Sequence, residues 1–369
     1  ELAYHYDWKY MYYFMMILLL AALLMVAICF RHDRPLRRIP LRELHVREMF
    51  VASAGLLMLM YVLCYGKVLD WLSSPRICLY VVLGPALLVF FLRTQHRSRN
   101  PYVDLAPLRQ PKALVGYLYM MIVMFFSTST TLLTNYMTSI LQVDATHSYT
   151  LYVWLLPGYA LGAFVCFWWF RWQRWRFRFL IAGGMACFAL FFGLLYFGIS
   201  PGSTYQSLFF PVFVRGAGML TLIIAFALFA VEELNPKYLI CNAFFLIACR
   251  SVLAPVMAAS FYGNALYRLQ QKYLCSLSEH FTLTDPAAAA KYAAALDSSL
   301  TRGHGYAEAA QLATGELYST LQQQSLLLAL KDILGWLFAV SLLLAVVSRF
   351  IPFHKTIRVR YAKAGDDMV

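Results

Sequence analysis

Two arginines, Arg215 in VRGAGML and Arg250 in IACRSVL, stand inside apolar runs long enough to cross a bilayer. A guanidinium at membrane depth costs about 2.5–3.5 kcal/mol on insertion scales, so each needs carbonyls, hydroxyls, water or a carboxylate around it. Neither run carries an Asp or Glu near its middle. Each Arg is therefore either a pathway or gate residue facing a wet cavity, or a structural group bridging helices through carbonyls. Hydroxyls and amides gather in a third run, where Ser127, Thr131, Thr134 or Asn135, and Thr138 recur at i, i+4, i+7/8 and i+11 and share one helix face. Such a stripe either lines an aqueous cavity or hydrogen-bonds a neighbouring helix. In a fourth run, Pro157-Gly158-Tyr159 leaves the carbonyl near Val153 unpaired and permits a kink. Gly158 and Gly162 form a small-xxx-small face for close packing, and Gly216 and Gly218 beside Arg215 allow the same close approach.

The residues absent from these runs narrow the chemistry. All 18 Asp and Glu and all 8 His lie in loops or at the ends of apolar runs. No carboxylate dyad, metal site or His-based nucleophile is placed at membrane depth, and nothing resembles a P-loop. The expectation is a protein that is not an enzyme and that uses no metal or cofactor. The 8 Cys show no CxxC, and all but Cys275 fall in or beside apolar runs, so they read as small core hydrophobes rather than a disulfide framework.

The elements that position these groups follow from composition. The chain is 61% hydrophobic and 13% charged, against about 45–50% and about 25% for a soluble domain. Surplus apolar surface on that scale must face lipid, which excludes a soluble enzyme, a disordered chain and a nucleic-acid reader. A bilayer core takes about 20 apolar residues per helix. Nine stretches qualify: 10–30, 48–66, 76–93, 113–134, 150–170, 178–199, 207–231, 239–262 and 328–349. The fold class is an all-α polytopic membrane protein.

The net charge of +13 is a topology signal in such a chain. With the loop from Arg31 to Arg47 placed in the cytoplasm, alternating segments put 21 of the 31 Lys and Arg on the cytoplasmic side and 8 on the other. That asymmetry predicts an extracytosolic N-terminus and a cytoplasmic C-terminus. Residues 265–325 are the one soluble-looking segment, rich in Ala and Gln. Asp285-Pro286 is placed as N-cap and N1 of a helix over AAAAKYAAALD, Gly303-His304-Gly305 ends it, and a second helical stretch runs from Tyr306 toward Gln324. The segment reads as an extracytosolic helical excursion that packs over the membrane part, docks a partner, or stays a loop. Aromatics such as Phe167-Trp168-Trp169-Phe170 fit an interfacial belt, and the basic run Arg171 to Arg176 fits anionic headgroups. With Glu at position 1 and a span starting within ten residues, the sequence reads as a piece of a longer chain.

Taken in order, these segments resemble the C-terminal two-thirds of a major facilitator superfamily transporter, in particular the fourteen-span drug:proton antiporter family of the EmrB/QacA type. The resemblance rests on Asp70-Trp71-Leu72-Ser73-Ser74 between two spans, Asn100-Pro101-Tyr102-Val103-Asp104-Leu105 as a linker, Leu155-Leu156-Pro157-Gly158, Arg215-Gly216-Ala217-Gly218, and Cys249-Arg250-Ser251. It implies that the nine spans are that family's spans 6 to 14. Residues 1–47 would be the last helix of an N-terminal bundle and a basic loop. Residues 48–112 would be two extra central spans and a linker, 113–264 the first five spans of the C-terminal bundle, 265–325 the excursion, and 326–369 the last span and basic tail. The loop Arg171 to Arg178 departs from the pattern, keeping the positive charge of a family latch but lacking its Gly and Asp.

What the resemblance implies is a bacterial inner-membrane exporter of drugs or other small amphipathic molecules, working by alternating access and coupled to protons. Ser127, Thr131, Asn135, Tyr159, Arg215 and Asn242 would line its substrate cavity, with Pro157, Gly158, Gly216, Gly218 and Arg250 structural or gating. The alternative is a membrane subunit of an efflux assembly that docks a periplasmic adaptor, and through it an outer-membrane channel, by residues 265–325. A membrane enzyme acting on lipid would lack any acid, base, nucleophile or metal ligand at depth.

Overall fold

The computed structural model describes residues 8–29, 46–98, 101, 103–143, 150–172, 177–231, 238–280 and 286–350. Most of the basic first loop, Asn100, Tyr102, residues 173–176, Asp285 and the tail from 351 lie outside the described residues. Among those described the secondary structure is helical, and nine helices are long and apolar enough to cross a membrane, matching the nine stretches read from hydropathy. The protein is an all-α polytopic membrane protein.

The chain falls into two units, Glu1–Met49 and Phe50–Val369. The first holds α1 (Trp8–Cys29), apolar on every face and without a charged residue beyond Lys9. A helix with no polar side to turn to water belongs in lipid or among other apolar helices.

In the second unit, α2 (Val46–Tyr65) and α3 (Pro75–Arg97) form a hairpin. Gly55 lets Leu88 come within 3.0 Å of where a Cβ would stand, and Tyr61 meets Tyr80 edge-on at 5.2 Å. Asp70-Trp71, in the tight connection between them, adopt left-handed backbone. Buried Gln95 accepts a hydrogen bond from the Val103 amide at 3.1 Å, which fixes the start of the linker on the end of α3.

The rest of this unit comprises α4 (Pro111–Thr128), α5 (Thr130–Ser139), α6 (Leu155–Trp172), α7 (Phe177–Gly198), α8 (Phe209–Val231), α9 (Leu239–Ile247), α10 (Ala254–His280), α11 (Pro286–Thr301) and α12 (Tyr306–Phe350), and all of these but α11 contribute to one main core. Its centre is aromatic: Phe126 packs on Phe188 and Phe192 at 5.6 and 5.5 Å, and Tyr119 stacks on Phe226 at 4.9 Å. Small residues set the helix spacings. A Cβ on Gly184 would come within 2.6 Å of Leu222, and one on Gly218 within 2.7 Å of Cys187, so α7 and α8 cross almost in backbone contact.

The excursion is helical as expected, but its boundaries differ. The eighth span continues as α10 to His280, and the stretch beginning at Tyr306 does not stop near Gln324; it merges with the last span into one 45-residue helix. At 1.5 Å per residue α12 is about 68 Å long, twice the roughly 30 Å hydrocarbon core, so one end must stand clear of the membrane. The turn between α11 and α12 has a simple cause. Gly303 takes φ +90°, its amide bonds the Leu300 carbonyl and the His304 amide bonds the Ser299 carbonyl, the paired contacts that close a helix on glycine. The Tyr273 hydroxyl then ties α10 to Asp332 of α12 at the base of the excursion.

Candidate functional site

The structure breaks the fourth span at Ser129, separating α4 from α5. The cause is in the run Ser127 to Thr131. Thr128 Oγ1 bonds the Met124 carbonyl at 2.9 Å, Ser129 Oγ the Phe126 carbonyl at 2.6 Å, and Thr131 Oγ1 the Thr128 carbonyl at 3.1 Å. Consecutive hydroxyls that bond back to their own helix compete with the amide ladder and bend it. Thr131, Thr134 and Thr138 of the stripe thus satisfy their hydroxyls within their own helix, as lipid requires. Ser127 is the exception, its hydroxyl reaching the Met219 sulfur of a neighbouring helix at 3.3 Å.

A bent helix frees carbonyls, and two side chains from other helices collect them. Arg215 Nη2 donates to the Ser127 carbonyl at 2.7 Å and lies 3.3 Å from Ser127 Oγ. The Tyr262 hydroxyl of α10 donates to the Phe125 carbonyl at 3.0 Å. Arg215 is the seventh residue of α8, about 10 Å inside the helix end, and only 4% exposed. Its guanidinium sits 5.7 Å from the centre of the Phe191 ring, within cation–π range. Its Nε and Nη1 have no hydrogen-bond partner among the described residues. Unpaired N–H groups in a buried charged side chain are costly, about 1–3 kcal/mol or more. Arg215 is therefore a poor purely structural bridge, with unused donors held at depth.

Tyr159 reaches the same centre from α6. Its hydroxyl and Ser127 Oγ approach the Met219 sulfur at 3.4 and 3.3 Å, one helical turn along α8 from Arg215. The crossing of α6 and α8 positions them. A Cβ on Gly158 would lie 3.1 Å from both the Ala217 nitrogen and the Gly216 Cα and would run into the Phe213 carbonyl, while one on Gly216 would stand 2.8 Å from the Leu155 carbonyl. Pro157 lies in the first turn of α6, just past an interruption at Trp154, where a missing amide costs nothing. The helix is interrupted at Trp154, next to the Val153 carbonyl that Pro157 has no amide to bond.

Of the residues predicted from sequence, Ser127, Tyr159 and Arg215 come together, with Gly158, Gly216 and Gly218 in the crossings that hold them. Thr131 and Asn135 continue outward along α5 on an exposed face. Asn242 stands apart. It is buried and accepts a hydrogen bond from Tyr117, ten residues or about 15 Å along α4 from Ser127. Arg250 is half-buried in a π-helical segment, Ala248–Leu253. Pro255 follows directly, and a proline there removes the amide that would bond the Ser251 carbonyl, which re-phases the turn before it. Sequence reasoning missed Tyr262, Met219 and Phe191. Tyr262 offered a signal, since a tyrosine deep in a span needs a partner for its hydroxyl.

Comparison of the sequence with protein-family models and with curated proteins returns no match. Among the described residues no group of three or more His, Cys, Asp or Glu is arranged to hold a metal ion.

Proposed function

We propose that this chain is the substrate-translocating part of a secondary active transporter that exports small amphipathic molecules by alternating access. The observation that carries the reading is Arg215, a buried guanidinium with unpartnered donors at membrane depth, resting on a helix that is broken at that level. Broken helices beside a midplane site are how transporters bind cargo and bend between states. The exposed face of Thr131 and Asn135 continues from this centre and supplies a polar lining in an otherwise apolar wall. The resemblance to the fourteen-span drug:proton antiporters supports the same assignment and would add a proton gradient as the energy source and a bacterial inner membrane as the location. On this reading Ser127, Tyr159 and Arg215 contact the cargo, and Asn242 holds α9 against α4.

The test is accumulation of a panel of fluorescent amphipathic dyes in cells carrying the full-length protein, its Arg215→Met variant and its Thr131→Val variant. The reading expects lower dye accumulation with the wild type and loss of that effect with Arg215→Met at equal membrane abundance. Unchanged export of every dye by both variants would sink the site assignment.

A second reading rests on the excursion. Helices α10, α11 and α12 project beyond the bilayer and are tied together, which suits docking a soluble adaptor. Deleting residues 286–305 separates the two readings: loss of partner co-purification with retained dye export would support docking.

A further inference from the structure

A groove of about 690 Å³ runs between α4, α10 and α12 and belongs to neither the Arg215 centre nor the excursion. Leu118, Phe125, Met257, Ala265, Trp336 and Val340 are among its walls, and its lining is almost wholly apolar. The groove opens outward, with Leu118 58%, Phe261 54% and Trp336 73% exposed. In a chain that spans a membrane, such a surface meets lipid. From Ala254 to Leu269 it follows α10 for about 22 Å, longer than the roughly 15 Å that one leaflet's acyl chains cover.

Charge marks one end. Arg268 and Lys272 lie one to two turns beyond Ala265, on the face of α10 that lines the groove, both exposed and without an ion pair among the described residues. The facing carboxylate, Asp332, accepts a hydrogen bond from Tyr273, and its single negative charge is outnumbered by the two basic groups. Lys272 is ten residues from Tyr262, which bonds Phe125 at the middle of the fourth span, Pro111–Ser139, so it stands about 15 Å from mid-depth, at headgroup level. Long basic side chains there extend to the interface.

We propose that this groove binds one anionic phospholipid, with an acyl chain along Met257, Ala265 and Trp336 and the headgroup phosphate held by Arg268 and Lys272. The apolar walls offer no hydrogen bond, so the occupant there is hydrocarbon, and the basic pair at the interfacial end selects a negative headgroup.

The experiment is native mass spectrometry of the full-length protein in detergent, titrated with phosphatidylglycerol or phosphatidylcholine, with thermal melting as the fold control. The wild type retains one phosphatidylglycerol with a preference over phosphatidylcholine of about fivefold to thirtyfold, the range for one to two basic contacts. Arg268→Gln with Lys272→Gln removes the preference. Ala265→Trp fills the groove and lowers retention of both lipids. Leu118→Trp fills it from the exposed rim, where overpacking of the core is not at issue, and gives the same loss. Equal retention of the two lipids by the wild type overturns the proposal, as does unchanged retention in folded Leu118→Trp. A fall from dimer to monomer in Leu118→Trp by light scattering, with lipid retention unchanged, would assign the groove to a second copy instead.

Discussion

Gly158→Ala puts the helix crossing beneath the Arg215 centre to a quantitative test. The new Cβ would stand 3.1 Å from the Ala217 nitrogen and the Gly216 Cα, against about 3.4 Å for ordinary contact, and would overlap the Phe213 carbonyl. All three obstacles are backbone, so none can rotate away, and α6 and α8 must part by at least about 0.3 Å. Overpacking of this kind costs about 1–3 kcal/mol, and a rigid backbone neighbour places it toward the upper end. Alanine recovers roughly 0.5–1 kcal/mol of helix preference over glycine, leaving a net loss of about 1–2 kcal/mol. Gly183→Ala is the matched control, since nothing lies within 4 Å of its Cβ and it should gain the helix preference without strain. Thermal melting of the two variants in one detergent should therefore shift them in opposite directions, to a separation of about 1.5–3 kcal/mol. Parting α6 from α8 also draws Tyr159 off Met219, so dye export should weaken in Gly158→Ala and hold in Gly183→Ala. If Gly158→Ala melts at or above the wild type, the close crossing of these helices is wrong, and with it the placement of Tyr159 beside Arg215.

Other outcomes follow from the same contacts. Tyr262→Phe removes the donor to the Phe125 carbonyl and should cost about 1–3 kcal/mol by melting, because that carbonyl has already left the helix ladder. Asn242→Leu strands the Tyr117 hydroxyl and should destabilise by a similar amount, whereas Asn242→Leu combined with Tyr117→Phe should be close to neutral. Dye export by that double variant should match the wild type. A selective loss there would return Asn242 to the cavity wall. Asp332→Asn weakens the tie between α10 and α12, and amide hydrogen exchange should rise in residues 265–280 before it rises elsewhere.

Much of the fold was legible because hydropathy and helix length are local properties. The nine spans, the helix opened by Pro286 and its stop at Gly303 could all be read from runs and turn residues. The long α12 was not, since the polar stretch to Gln324 looks like an ending, and only its packing against α10 and α11 carries the helix through. In the site, Arg215 was visible as a charge that lipid would reject, and the hydroxyl run Ser127 to Thr131 marked its neighbour. Its effect was not: whether those hydroxyls reach outward or bond backward depends on the bend they themselves create. The partner of Asn242 was hidden for a simpler reason. A lone amide in an apolar run announces that it has a partner but not which helix supplies it, and here Tyr117 does.

The most direct test of the central claim is efflux of a fluorescent amphipathic dye from proteoliposomes holding the purified full-length protein, with and without an imposed pH gradient, beside Arg215→Met. Gradient-dependent efflux by the wild type is expected, and its loss in Arg215→Met while the variant's melting temperature holds or rises, since the substitution removes a buried charge with unpaired donors. A variant that unfolds, or one that transports as well as the wild type, would show Arg215 to be a structural strut and would contradict the account.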